Sequence, residues 1–119
     1  MPAIHIRALL AAALLAAGAG IATAQNLGFM RDSVMSFMTQ EDAAMIGRNY
    51  QEALALPDGH TSTWSNPRTG HSGTASPLKS FQQKGMACRE LEMSNTARGQ
   101  TSRNVFVFCK TASGWKIVS

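Results

Sequence analysis

Few side chains in this sequence can do chemistry, and their spacing sorts them. Cys88 and Cys109 are its two cysteines. Neither lies in a Cys-x-x-Cys pair or beside a histidine, which argues against a redox-active dithiol or a zinc site and leaves a structural disulfide. His60 and His71 flank a predicted turn at 66–70, where a hairpin could bring them together. Two imidazoles without a thiolate or carboxylate partner make a poor zinc site, so both are expected to be solvated loop histidines. Met30, Met35, Met38 and Met45 are thioethers suited to Cu(I). They are interspersed with Phe29, Val34, Phe37 and Ile46, a pattern that favours core packing. Glu90 and Glu92 would share one face of a strand, as a pair of glycosidase carboxylates could, but solvated charges are the expectation. No Gly-x-Ser-x-Gly elbow is present, and Gly70 and Gly73 lack the Lys-Ser/Thr and following helix of a phosphate loop. These residues predict no catalytic group, no metal and no cofactor. The alternative is a small periplasmic copper-binding protein using the methionines and the two histidines.

The chain that must position these groups has 119 residues, 45% of them hydrophobic, and a formal net charge of +4. The apolar residues are concentrated at the front. Residues 1–24 hold 18 of them and a single charged side chain, Arg7. Ala8 to Ala17 is an unbroken apolar stretch, and Ala22-Thr23-Ala24 has the small residues a signal peptidase accepts. A cleaved signal peptide over 1–24 is therefore predicted, with cleavage between Ala24 and Gln25. The stretch is short and weakly hydrophobic for an uncleaved span, and without a cysteine at the junction no lipoprotein-type anchor is expected. The mature portion, 25–119, is one domain of 95 residues with +3 net charge and all eight aromatics. Such a size excludes a two-lobed enzyme, a multi-span membrane protein and a long repeat array. Export also gives the cysteines a compartment in which a disulfide persists.

The domain divides into a helical front and a β-rich back, an α+β class. Asp32-Ser33 could cap a short helical turn. Thr39-Gln40-Glu41-Asp42 resembles a capping box, and Met45, Ile46, Tyr50, Ala53 and Leu54 then recur at helical spacing, predicting a helix over 40–55. Leu56-Pro57-Asp58-Gly59 stops it. About five short antiparallel strands are predicted after that. They are drawn from six candidate segments, at Thr61–Ser65, at His71–Ser76 with Gly73 as a candidate bulge, at Lys79–Gln83, through Cys88, over 104–109 and over 115–118. Ser94 to Arg103 reads as a polar loop. Across it the Cys88 and Cys109 strands would pair as a hairpin, setting the two cysteines nearly opposite. Trp64 and Trp115 read as packing residues. The ten basic residues of the domain are scattered, with no stripe for nucleic acid.

Several of these elements are similar to a known family. Thr39-x-x-Asp42 opens the helix, Ala53-Leu54 ends it, and Pro57-Asp58-Gly59 comes next. Trp64-x-Asn66-Pro67-x-Thr69-Gly70-x-x-Gly73, Ser76-Pro77-Leu78, Gly85-x-x-Cys88-Arg89, Cys109 and Gly114-Trp115-Lys116 complete the order. This resembles the C-terminal domain of the bacterial 17-kDa surface-antigen family over roughly residues 26–118. Trp64, Asn66, Gly70, Gly73 and Arg89 are its most specific positions. The lipobox cysteine and glycine-rich segment common in the wider family are not found before this domain. The resemblance implies a non-enzymatic envelope protein of a Gram-negative bacterium, periplasmic, outer-membrane-associated or at the cell surface. Its expected partner is another envelope protein or an anionic surface polymer, held weakly by the basic side chains, with no nucleic acid and no transmembrane span after cleavage.

Overall fold

A computed structural model describes residues 34–119. The export segment, the Ala24/Gln25 cleavage point, the Asp32-Ser33 cap and Met30 lie outside the described residues. Among these residues a 3-10 turn at Met35–Phe37, with Val34 at its N-cap, precedes an α-helix, α1 (Gln40–Leu54). The strands are β1 (Ser62–Asn66), β2 (His71–Gln83), β3 (Met86–Ala97), β4 (Gln100–Thr111) and β5 (Gly114–Ile117). They form one antiparallel meander in the order β1-β2-β3-β4-β5. The α+β class is as expected, with α1 packed on one face of the sheet.

α1 starts where the capping box places it. The Thr39 backbone N–H donates to Asp42 Oδ2 at 2.9 Å, and the Asp42 N–H donates back to Thr39 Oγ1 at 3.1 Å. Ile46, Ala53 and Leu54 are buried on its sheet-facing side, over Trp64, Ala75, Leu91, Met93 and Phe108. Tyr50 stacks on Phe108 with ring centroids 5.6 Å apart. At roughly 25 cal/mol per Å² of apolar area, burying such side chains is the main drive that holds the helix on the sheet.

Three strands are long rather than short. The predicted strands at 71–76 and 79–83 are a single strand, β2, which continues past Pro77 because the register shifts between Pro77 and Lys79 and leaves Leu78 unpaired as a bulge. Gly73 is not that bulge; it pairs regularly with Trp64 and with Asn95. The predicted polar loop at 94–103 is likewise the far end of the β3–β4 hairpin, closed by Arg98-Gly99 alone. Both residues have positive φ, 51° and 73°, the combination a two-residue type I′ turn requires. Ser94, Thr96, Thr101 and Arg103 are polar because they lie on the face opposite α1, and in sequence that polarity imitates a loop.

Cys88 and Cys109 face each other directly in the β3–β4 register and form a disulfide, with Cα atoms 4.0 Å apart. The bond closes a loop of sequence separation 21 and contributes about 3 kcal/mol in the chain-entropy description. It lies on the sheet face away from α1 and is nevertheless buried. Glu90 and Glu92 share that face; Glu90 pairs with Lys79 at 3.0 Å, and both carboxylates keep access to solvent. No helix among the described residues is long and apolar enough to cross a membrane.

Candidate functional site

The positions with the most specific chemistry gather where α1 meets β1, β2 and β3. Asp42 is fully buried, and a buried carboxylate is costly unless its oxygens are satisfied. Four donors converge on it: the Thr39 N–H, Asn66 Nδ2 at 2.8 Å, Thr69 Oγ1 at 2.9 Å and His71 Nδ1 at 2.8 Å. Burial raises its pKa, but the bonds from Thr39, His71, Asn66 and Thr69 outweigh that and hold it at about 2. The carboxylate is thus ionised and can only accept, so the His71 nitrogen facing it carries the proton. Asn66 spans the junction. Its amide nitrogen also donates to Glu41 at 3.0 Å, and its amide oxygen accepts the Arg68 N–H, shaping the turn to β2.

Of the two histidines, His60 is solvated as expected and His71 is not. His71 is buried against Asp42 rather than solvated, because the first residue of β2 points inward at a carboxylate that needs donors. His60 is exposed and lies before β1, at the open end of the hairpin whose turn end holds His71. Antiparallel pairing keeps them apart instead of bringing them together. Among the described residues no group of three or more His, Cys, Asp or Glu side chains could hold a metal ion.

A second junction secures the other end of α1. Arg89 Nη1 donates to the Leu54 carbonyl at 2.6 Å, Nη2 to Asp58 Oδ1 at 2.7 Å and Nε to Ser80 Oγ at 3.0 Å. A helix leaves its last carbonyls without partners, and here a strand arginine supplies one. Arg89 and then Ser80, by donating to the Asp58 carboxylate, hold its pKa below the usual carboxylate range. Between the two junctions, the Trp64 indole N–H donates to Asn95 Oδ1 at 2.9 Å. Gly73 makes that bond possible. A Cβ there would collide with Trp64 Nε1, Asn95 Oδ1 and the Ser94 carbonyl.

Asn66 and Arg89 thus bond α1 to the sheet, Trp64 and Gly73 fit together within the sheet, and Gly70, with φ 76°, closes the turn between Asn66 and His71. Asp42, Asn49, Asp58, Thr69 and Asn95 complete the region, although residue type and spacing alone do not mark them as site residues. Two of them leave a trace in the sequence. Asn49 interrupts the apolar stripe Ile46–Tyr50–Ala53, and Asn95 sits at an inward position of β3. Beside the junctions a shallow cleft of about 190 Å³ runs between α1 and β1, bordered by Met45, Arg48, Asn49 and Glu52 on the helix and Thr63, Trp64 and Ser65 on the strand. Trp115 borders a separate depression at the other end of α1, with Leu54 and Phe81.

Among the described residues, a helix secured by polar junctions to a disulfide-bridged meander defines a small α+β module. Residues 53–116 match the family model described as 17 kDa outer membrane surface antigen, and the chain belongs to that family. A 17 kDa surface antigen of Rickettsia bellii is 29% identical over 109 residues, covering 89% of this chain and 67% of the relative. The protein of the same name from strain RML369-C of that species matches to the same extent. No solved structure matches the chain.

Proposed function

We propose that the chain is an exported cell-envelope protein whose domain serves as a non-catalytic binding or structural module. It would reside in the periplasm or at the outer membrane of a Gram-negative bacterium. The observation that carries this reading is the direction in which the distinctive polar groups point. Trp64, Asn66, Thr69 and Arg89 all spend their hydrogen bonds on partners inside the fold, with Asp42 and Asp58 as acceptors. Residues engaged in this way hold a shape and do not turn over a substrate. The leader-like front end and the disulfide support export, since such bonds persist in oxidising compartments. The partner is another envelope protein or an anionic surface polymer met by the basic domain.

In-cell crosslinking followed by fractionation tests this. The expected result is an adduct in the envelope fraction whose chain begins at Gln25 and gains two hydrogens on reduction. A chain that stays in the cytoplasm with Met1 in place would overturn the reading.

A further inference from the structure

We propose that two copies of the chain associate through the sheet face turned away from α1, with Val107 against the partner's Val107 and Glu92 against the partner's Lys116. This goes beyond the binding-module reading and does not depend on where the protein resides. α1 packs over β1, β2 and β3 on one face, and among the described residues no element packs on the other. Cross-strand register puts Glu92 opposite Val105, Glu90 opposite Val107 and Lys116 opposite Cys109 on that second face. Val118, whose N–H donates to the Val107 carbonyl at 2.8 Å, extends the Glu90–Val107 row. Val105 is 50% and Val118 47% exposed, with Val107 half-buried between them. Apolar side chains gathered on one exposed face are what a partner removes from water.

The register also shows which partner fits, because Val107 lies midway between two charges of opposite sign. Glu92 is one strand to one side, level with the residue two before Val107, and Lys116 is one strand to the other side, level with the residue two after it. With strands about 4.8 Å apart and a rise of about 3.4 Å per residue, the two are equidistant from Val107 in opposite directions. Neither has an ion-pair partner among the described residues. A second copy, turned about a two-fold axis that runs over Val107 between the two sheets, sets each Glu92 on a Lys116 and each Val105 beside a Val118. Both contacts then occur twice, as an isologous interface requires. The strands of the two sheets cross steeply, near the orthogonal class of sheet packing. A partner carrying one sign of charge would answer only one of the two groups. The other charges of the face leave the match intact: Lys79 and Glu90 pair at 3.0 Å, and Arg103 lies beyond Val105 toward the hairpin turn. The Cys88–Cys109 bridge ties β3 to β4 beside Val107, so the surface is held in shape before association.

Sedimentation equilibrium on the protein as exported tests this. The mass should rise with concentration to twice that of the chain and no further. Val105→Glu should leave a folded monomer. Glu92→Lys and Lys116→Glu should each weaken association about tenfold, and the two together should restore it to within about threefold of the unaltered protein. That rescue separates a direct charge contact from a general loss of folding or solubility. Amide resonances supply a readout that needs no variant: on dilution, shifts are expected at Glu92, at 105–107 and at 116–118. A chain that stays monomeric up to millimolar concentration would overturn the proposal and leave the binding-module reading standing. A dimer indifferent to Val105→Glu, a double variant no tighter than the singles, or dilution shifts confined to α1 and β1 would overturn it equally. In cells, a photoreactive residue placed at Val118 should give an adduct of twice the chain's mass. Capture there of a different envelope protein alone would overturn the second-copy proposal while supporting the binding module.

Discussion

Asp42→Ala is expected to lower the unfolding free energy by about 4 kcal/mol, measured by denaturant titration at neutral pH. The substitution removes one carboxylate but strands several groups. His71 Nδ1 and Thr69 Oγ1 lose the acceptor they are aimed at, the Asn66 amide nitrogen keeps only Glu41, and the Thr39 N–H loses its cap. Each buried donor left unpaired costs its desolvation, about 1–3 kcal/mol, which is why removing a shared acceptor exceeds the value of any single bond. The same variant should change the acid limb of stability. A pKa held at about 2, against 3.8 for an ordinary aspartate, means that the folded state favours the ionised form. That contribution, about 2 kcal/mol, is fully present above the unfolded pKa and is lost as pH falls from about 3.8 toward 2. Asp42→Ala should flatten stability across this window. An unchanged acid limb would show that Asp42 is not the group titrating there.

Gly73→Ala should cost about 3 kcal/mol, although it adds one methyl group in a strand, where alanine ordinarily does no harm. The reason is local. The methyl would meet the backbone carbonyl of Ser94 on one side and the Trp64–Asn95 hydrogen bond on the other. A backbone atom in a paired strand has little room to yield, so the indole must move and both bonded groups are left buried without each other. Trp64 fluorescence provides the readout: the variant should show a red-shifted, more quenchable indole alongside the loss of stability. Gly73→Ala with native stability and an unchanged emission would contradict the packing described.

Those two positions show what a sequence of this kind reveals. Local signals were legible: the Thr39–Asp42 capping box, the Pro57-Asp58-Gly59 stop, the antiparallel strands and the opposition of Cys88 and Cys109 all arise from neighbouring residues or from a hairpin register. The length of the strands was not. Pro77 imitated a strand end because a bulge that absorbs a proline has no local signature, and the outward Ser and Thr residues of the β3–β4 hairpin imitated a loop. The junctions were hidden for a different reason. Asp42 and His71 are 29 residues apart, and Arg89 reaches the Leu54 carbonyl across 35. Only the fold makes them neighbours, so His71 looked like a surface histidine and Arg89 like one more scattered cation. The cleft depends in the same way on α1 packing over β1, and its one sequence trace is Asn49 within an apolar stripe.

Asn66 and Arg89, two of the positions that carry the family resemblance, secure α1 to the sheet. Amide hydrogen exchange on the Arg89→Met variant tests this most directly, because methionine keeps the apolar stem and removes the three hydrogen bonds to Leu54, Asp58 and Ser80. Amides in the last turns of α1 and around Asp58 are predicted to lose protection by about tenfold or more, while those in the centre of β3 and β4 keep theirs. Protection unchanged in α1, or lost equally through helix and sheet, would contradict it.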